Sequence, residues 1–214
     1  MLAIAAYLPH IRFHFYNRRL RHQIPDWIHN VKQVTTLEPG KGILCEHGWE
    51  SAHPYQPHDF THSLCIRKIS RQNPDMAGYD TILTVSDINR TGDFPPVVLE
   101  TPALPQPCAS HIIASSEKKN RQFLAALYPH YAQEIVFPLT AYRLHLNHVV
   151  GIAGYNLFWE CAYYRIPCQL YRSQWFNDSH WRLDQLGEHP IPSLSQNGAP
   201  LVAEALWQYL QTCL

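Results

Sequence analysis

Charge is scarce in this sequence. Asp, Glu, Lys and Arg make up 16% of its 214 residues, against roughly 25% in an average globular protein. The charge present is balanced, Lys+Arg 17 against Asp+Glu 17. No global field therefore draws the chain to nucleic acid, and DNA and RNA are not expected as partners. No apolar run approaches the ~18 residues a membrane span needs, so no membrane span is expected. The stretch 1–7 is apolar but short and lacks a basic leader, which argues against a signal peptide. Six cysteines, at 45, 65, 108, 161, 168 and 213, are too scattered for a disulfide framework. Cys161 and Cys168 lie inside apolar stretches, where free thiols are usually buried, and a reducing cytoplasm is the expected location. Internal repeats, low-complexity tracts and any Ser-His-Asp grouping are also missing, so nothing points to a hydrolase.

Apolar residues are abundant, at 46%, and the length suffices for one large α/β domain or two small ones with a real core. Prolines at 95, 96, 102, 105 and 107 stiffen a connector. This places a boundary at 104/105, with residues 1–104 as a reduced N-terminal α/β portion and 105–214 as a second domain. Beyond the connector the pattern is regular. Strands are predicted at 111–114, 134–137, 149–153 and 168–171. Helices are predicted at 118–131, 141–147, 156–165, 177–186 and 199–212. Short apolar strands alternating with helices imply a Rossmann-like parallel sheet, whose ligands bind beyond the carboxyl ends of the strands. The front half predicts strands within 8–17, 42–46 and 81–85, with 56–71 irregular or partly helical.

The most informative run is 148–171, which reads as buried strand, glycine turn, helix and proline-led strand. Gly154 permits positive φ and close approach of backbone to a ligand. Asn156 is of a preferred N-cap type. Glu160 shares its helix face, four residues on. Unpaired amides at such a helix start can receive a diphosphate while the carboxylate accepts from two ribose hydroxyls. An ordinary βα turn with a solvated glutamate fits the same residues.

Phe137-Pro138-Leu139 with Tyr142, Gly154-Tyr155-Asn156 with Glu160, then Pro167 and Asn177-Asp178, resemble the donor half of GT-B nucleotide-sugar glycosyltransferases of the family-28-like kind. Their pattern is Pro-Leu-x-x-Tyr, Ala-Gly-Tyr-Asn-(x)3-Glu, Gly-Val-Pro and Asp-Asp-Gln-x-x-Arg-Ala. The likeness covers roughly residues 105–190. It implies a UDP-sugar or related nucleotide sugar as co-substrate, and no other cofactor. Gly154, Tyr155 and Asn156 would face the diphosphate and Glu160 the ribose. Ser115 and Ser116 would stand in the phosphate- or nucleoside-facing loop, and Asp178 in the segment that reaches the sugar. Three departures stand out. The loop at 114–117 has no glycine, Ser179 replaces the expected glutamine, and the front half lacks the Gly-x-Gly-His-like loop. A partner chain or second copy would then supply the acceptor side, or the chain is a degenerate GT-B-like protein that binds nucleotide or scaffolds a partner.

Within 45–65, Cys45-x-His47 and His62-x-x-Cys65 offer zinc-ligand types, but the spacing matches no common zinc module. No metal is assigned. His47, in the loop expected after the strand at 42–46, is the candidate general base on an acceptor hydroxyl, with a surface histidine as the alternative. Arg143 and Arg172 are candidates to stabilise the departing diphosphate. Trp175, Phe176 and Trp181 lie near the implied sugar site, where packing is the simpler explanation.

Overall fold

The computed structural model describes residues 1–16, 24–40, 42–47 (45–47 by backbone only), 55–69, 78–104, 109–133 and 138–213. In chain order its elements are α1 (Leu2–Ala5), β1 (Phe13–Tyr16), β2 (Val31–Val34), β3 (Ile43–His47), β4 (His62–Lys68), β5 (Thr81–Val85), β6 (His111–Ala114), α2 (Lys118–Leu127), β7 (His148–Ile152), α3 (Tyr155–Tyr164), β8 (Cys168–Tyr171), α4 (Asp178–Leu186) and α5 (Ala199–Thr212). Short 3-10 turns occupy Pro57–Asp59 and Leu139–Tyr142. The protein is mixed α/β, and every described strand pairing within its sheets is parallel. The chain forms two compact units, Met1–Val97 with Asn197–Leu214, and Val98–Gln196. The division falls inside the proline-rich connector, a few residues before the expected one, and α5 joins the first unit instead of the second.

In the first unit β1 pairs with β2, and β4 lies between β3 and β5. The region 56–71 was expected to be irregular or partly helical; it holds this central strand. His62-Ser-Leu-Cys-Ile-Arg-Lys68 shows no alternation because residues 63–66 are buried on both faces of the sheet, the pattern of an interior parallel strand. α5 lays Val202, Ala203 and Leu206 into this unit, where α1 buries Ala3, Ile4 and Ala5. The Gly198 N–H donates to the Pro96 carbonyl at 2.8 Å. A Cβ there would stand 2.0 Å from the Pro95 carbonyl oxygen, so only glycine admits this approach.

The second unit is built on β6-β7-β8, in register Ala114↔Gly151 and Val149↔Cys168. Alternation assigns the two faces. Ile113 and Val150 pack with Leu124, Phe123 and Tyr128 around α2. Ile112 and Val149 pack with Leu157, Cys161 and Tyr164 of α3. The two helices therefore cover opposite faces. Ala132 makes a parallel bridge to Ile112, with the Ile113 N–H donating to the Ala132 carbonyl at 2.8 Å. The chain thus leaves β6 through α2 toward one side of that strand and later returns through β7 on the other. Such a reversal opens a crevice outside the carboxyl ends of the two diverging strands. The strand expected at 134–137 lies outside the described residues. The helix expected at 141–147 is only the 3-10 turn Leu139–Tyr142 followed by non-helical turns.

Gly151 lets these layers close. A Cβ on it would meet Leu157 Cδ2 at 2.2 Å and the Ala114 carbonyl oxygen at 2.9 Å. Gly151→Ala is expected to destabilise the protein by about 1–3 kcal/mol, the usual cost of overpacking, read as a lower urea midpoint at unchanged m-value.

Candidate functional site

The turn between β7 and α3 is held against β8 by the Ala153 N–H, which donates to the Tyr171 carbonyl at 2.9 Å. Gly154 is the N-cap of α3: its carbonyl accepts the Phe158 N–H at 3.0 Å. Its φ is −66° and ψ 155°, so the expected positive φ is not used. A Cβ would find nothing closer than the Ile152 carbonyl oxygen at 3.8 Å. Neither backbone nor packing requires glycine here, unlike at Gly151, and the missing side chain leaves open space at the helix start. No side chain caps that start among the described residues, so the first-turn amides have no intrahelical partner.

Asn156 is not the cap that its residue type suggested, because the helix begins one residue before it. It is exposed on the first turn, and its amide bonds to nothing among the described residues. The Tyr155 side chain is buried, with its ring edge-on to Trp159 at 6.5 Å; it belongs to the core, and only its backbone can face a ligand. Glu160 lies one turn beyond Asn156 on the same face. It is half-buried, and no hydrogen bond or ion pair holds its carboxylate among the described residues. Burial pushes its carboxyl up from 4.5 to about 7.

Across the crevice, Ser115 and Ser116 follow β6. The Ser115 hydroxyl accepts the Glu117 N–H at 3.3 Å, so part of its bonding capacity serves its own loop. Arg121 was not singled out from the sequence. Its guanidinium donates to the Ser115 and Ser116 carbonyls at 3.0 and 3.3 Å. Lys118 and Lys119 sit exposed in the same first turn, and no acidic residue does. Cations at the positive end of a helix oppose its dipole, at about 0.3–1 kcal/mol each. That conflict, Lys-Lys-x-Arg at a helix start, was the signal available in the sequence.

From β8, residues 172–177 lead to α4, which is capped by Asn177 Oδ1 accepting the Ser179 N–H at 2.9 Å. Ser179, at the place of the family's glutamine, is buried; its hydroxyl donates to Asn177 Oδ1 and accepts the Ser173 N–H at 2.8 Å. It is thus committed to the cap. Asp178 is buried, and its Oδ1 has no hydrogen-bond partner among the described residues. Arg182, 1% exposed, donates to the Ala153 carbonyl and lies 5.8 Å from the Tyr155 ring centroid. It braces the Gly154 turn from below, which a position in a polar helical segment did not reveal. Trp181 is buried, whereas Trp175 and Phe176 are 42% and 70% exposed, Phe176 with its ring 5.2 Å from that of His180.

Both arginines proposed for the diphosphate are engaged by other groups. Arg143 stacks 4.8 Å above the Tyr164 ring and donates to the Thr101 and Thr140 carbonyls at 2.9 Å. Tyr164 ends α3, so Arg143 is a helix length, about 15 Å, from Gly154. Arg172 pairs with Asp184 on the surface. In the first unit His47 ends β3 at the carboxyl edge of its sheet; its side chain, like that of Cys45, lies outside the described residues. His62 and Cys65, three apart on β4, point to opposite faces and cannot converge on one metal.

Comparison with protein-family models, with curated proteins and with solved structures returned no match.

Glu160 makes stability depend on pH. Its folded pKa is raised, so the folded state binds the proton more tightly than the unfolded state does. The associated stability is complete below about 4.5 and is lost as pH rises through about 7. Glu160→Gln is therefore expected to stabilise the ligand-free protein at pH 8 by about 1–3 kcal/mol and to have little effect at pH 4.5. Urea titrations of both proteins at the two pH values measure this.

Proposed function

We propose that the second unit binds a nucleoside-diphosphate sugar, a UDP-sugar in the first instance, in the crevice between the carboxyl ends of β6 and β7. The chain is then a glycosyltransferase or the donor-binding portion of one. The observation that carries this reading is Glu160: a half-buried carboxylate with no partner among the described residues, one turn from an uncapped helix start where glycine serves no need of the fold. Vicinal ribose hydroxyls donate two hydrogen bonds and suit such a group. A diphosphate suits the α3 amides, because helix starts attract anions. Arg121, with Lys118 and Lys119, brings positive charge to the same edge, where the departing diphosphate gains charge. In this reading a partner chain or second copy completes the acceptor side.

Binding without transfer is the second reading. It is favoured by the commitment of Arg143, Arg172 and Ser179 to other partners, which leaves fewer groups for the leaving diphosphate and the sugar.

Titration with UDP and UDP-sugars separates these outcomes. UDP should raise the melting temperature and bind more tightly at pH 8 than at pH 6, because Glu160 must ionise to accept both hydroxyls. Glu160→Gln should weaken binding on the order of 10–100-fold, the usual loss for hydrogen bonds to a charged group, and flatten the pH dependence. Gly154→Ala should fold normally and bind more weakly, since its methyl occupies the space beside the helix start. No thermal shift with millimolar UDP or UDP-sugars overturns the reading. Binding with neither sugar transfer nor donor hydrolysis selects the second.

A further inference from the structure

We propose that Cys161 and Cys168 are a dithiol that peroxide oxidises reversibly to a disulfide, a modification site independent of the nucleotide reading. Two geometric observations bring the two thiols to one side of the sheet and one core cluster. First, α3 ends at Arg165, whose φ of 53° turns the chain back, and the N–H groups of Arg165 and Ile166 both donate to the Cys161 carbonyl. Seven residues therefore suffice to bring the first residue of β8 beneath the last turns of α3. Second, Cys168 is the register partner of Val149, and paired residues of a parallel sheet point to the same face. Val149 and Cys161 share one core cluster with Cys168 packed against it, so both thiols lie on the α3 side.

Their environments differ in a way that assigns the order of events. Cys161 is 2% exposed, while Cys168 is half-buried and reachable from solvent. The hydrogen bond from Cys161 holds the Cys168 thiol below its ordinary range; the same bond, followed by burial, pushes the Cys161 thiol up. Thiolates are the reactive form. Cys168 thiolate attacks a peroxide oxygen, the O–O bond breaks, and hydroxide leaves and takes up a proton to give water; Cys168 becomes a sulfenic acid. The Cys161 sulfur then attacks the Cys168 sulfur, the S–S bond forms, the S–O bond breaks, and the hydroxyl departs as water with the Cys161 proton. Overall, two thiols lose two electrons and two hydrogens, and one hydrogen peroxide is reduced to two waters.

The test uses the full chain treated with hydrogen peroxide, alkylated and digested with trypsin without reduction. Cleavage at Arg143, Arg165 and Arg172 places Cys161 in peptide 144–165 and Cys168 in peptide 166–172, each with a single cysteine. A disulfide therefore appears as that pair of peptides linked, and dithiothreitol should release both. The linked pair is expected to replace most of the two free peptides in the wild type and to be absent in Cys168→Ser. In Cys161→Ser, Cys168 should instead accumulate as a sulfenic acid trapped by dimedone. Should Cys161→Ser fail to fold, Cys168→Ser, at the half-buried position, remains the control. Recovery of both wild-type peptides unlinked after peroxide, or linkage of Cys168 to a different cysteine, overturns the proposal.

Discussion

Close contact at Gly151 is the constraint on which the second unit depends. The glycine sits in register with Ala114, and α3 returns over it so closely that a methyl group would overlap Leu157. Leu157 belongs to the first turn of α3, so this contact sets how low the helix start rests on the end of β7. With α2 on the opposite face, the carboxyl ends of β6 and β7 open between two diverging helices. Hydrophobic packing on both faces, through Ile112 and Val149 on one side and Ile113 and Val150 on the other, holds that opening in place. Arg182 fixes its floor by bonding the Ala153 carbonyl from a fully buried position. A buried guanidinium is costly unless its donors are used, and here backbone and aromatic faces surround it.

Along this edge the polar groups conflict locally with the fold. Lys118, Lys119 and Arg121 stand at the positive end of α2, and among the described residues Glu160 is desolvated without a partner and Asp178 buries an oxygen that nothing bonds. Each is unfavourable in isolation, and they do not neutralise one another through any ion pair among the described residues. Perturbed groups of this kind gather at functional sites. Other polar groups of the second unit tie its elements together: Asn120 joins α2 to the loop after β8 through Ser173 and the Gln174 N–H, and Tyr163 donates to Glu100 at 2.7 Å.

Much of the second unit was legible because its elements carry strong local signals. Strands at 111–114 and 168–171 and a helix over 177–186 follow from apolar runs and periodicity, α4 begins one residue later because Asn177 is its cap, and α3 starts one residue earlier than expected. The central strand β4 was missed, since burial on both faces erases alternation and leaves a short run indistinguishable from irregular chain. The 141–147 segment read as helix because its composition permits one, yet the chain there is a 3-10 turn. At the site, Glu160 and the Gly154 turn were read from spacing alone. The conformation of Gly154, the burial of Tyr155 and the remoteness of Arg143 were not, because each depends on where a helix begins and which end of it a side chain reaches.

Composition and periodicity, properties of the chain read locally, determined the α/β class, the parallel pairing, the turn at Gly154 and the shared face of Asn156 and Glu160. Only the tertiary structure decided that α5 belongs with the first unit, that Arg121 stands at the crevice while Arg143 lies a helix length away, and that Cys161 and Cys168 share one core cluster. Those outcomes rest on contacts between segments far apart in the chain or turned back upon themselves. Their free energies come from packing and desolvation, which no local pattern encodes.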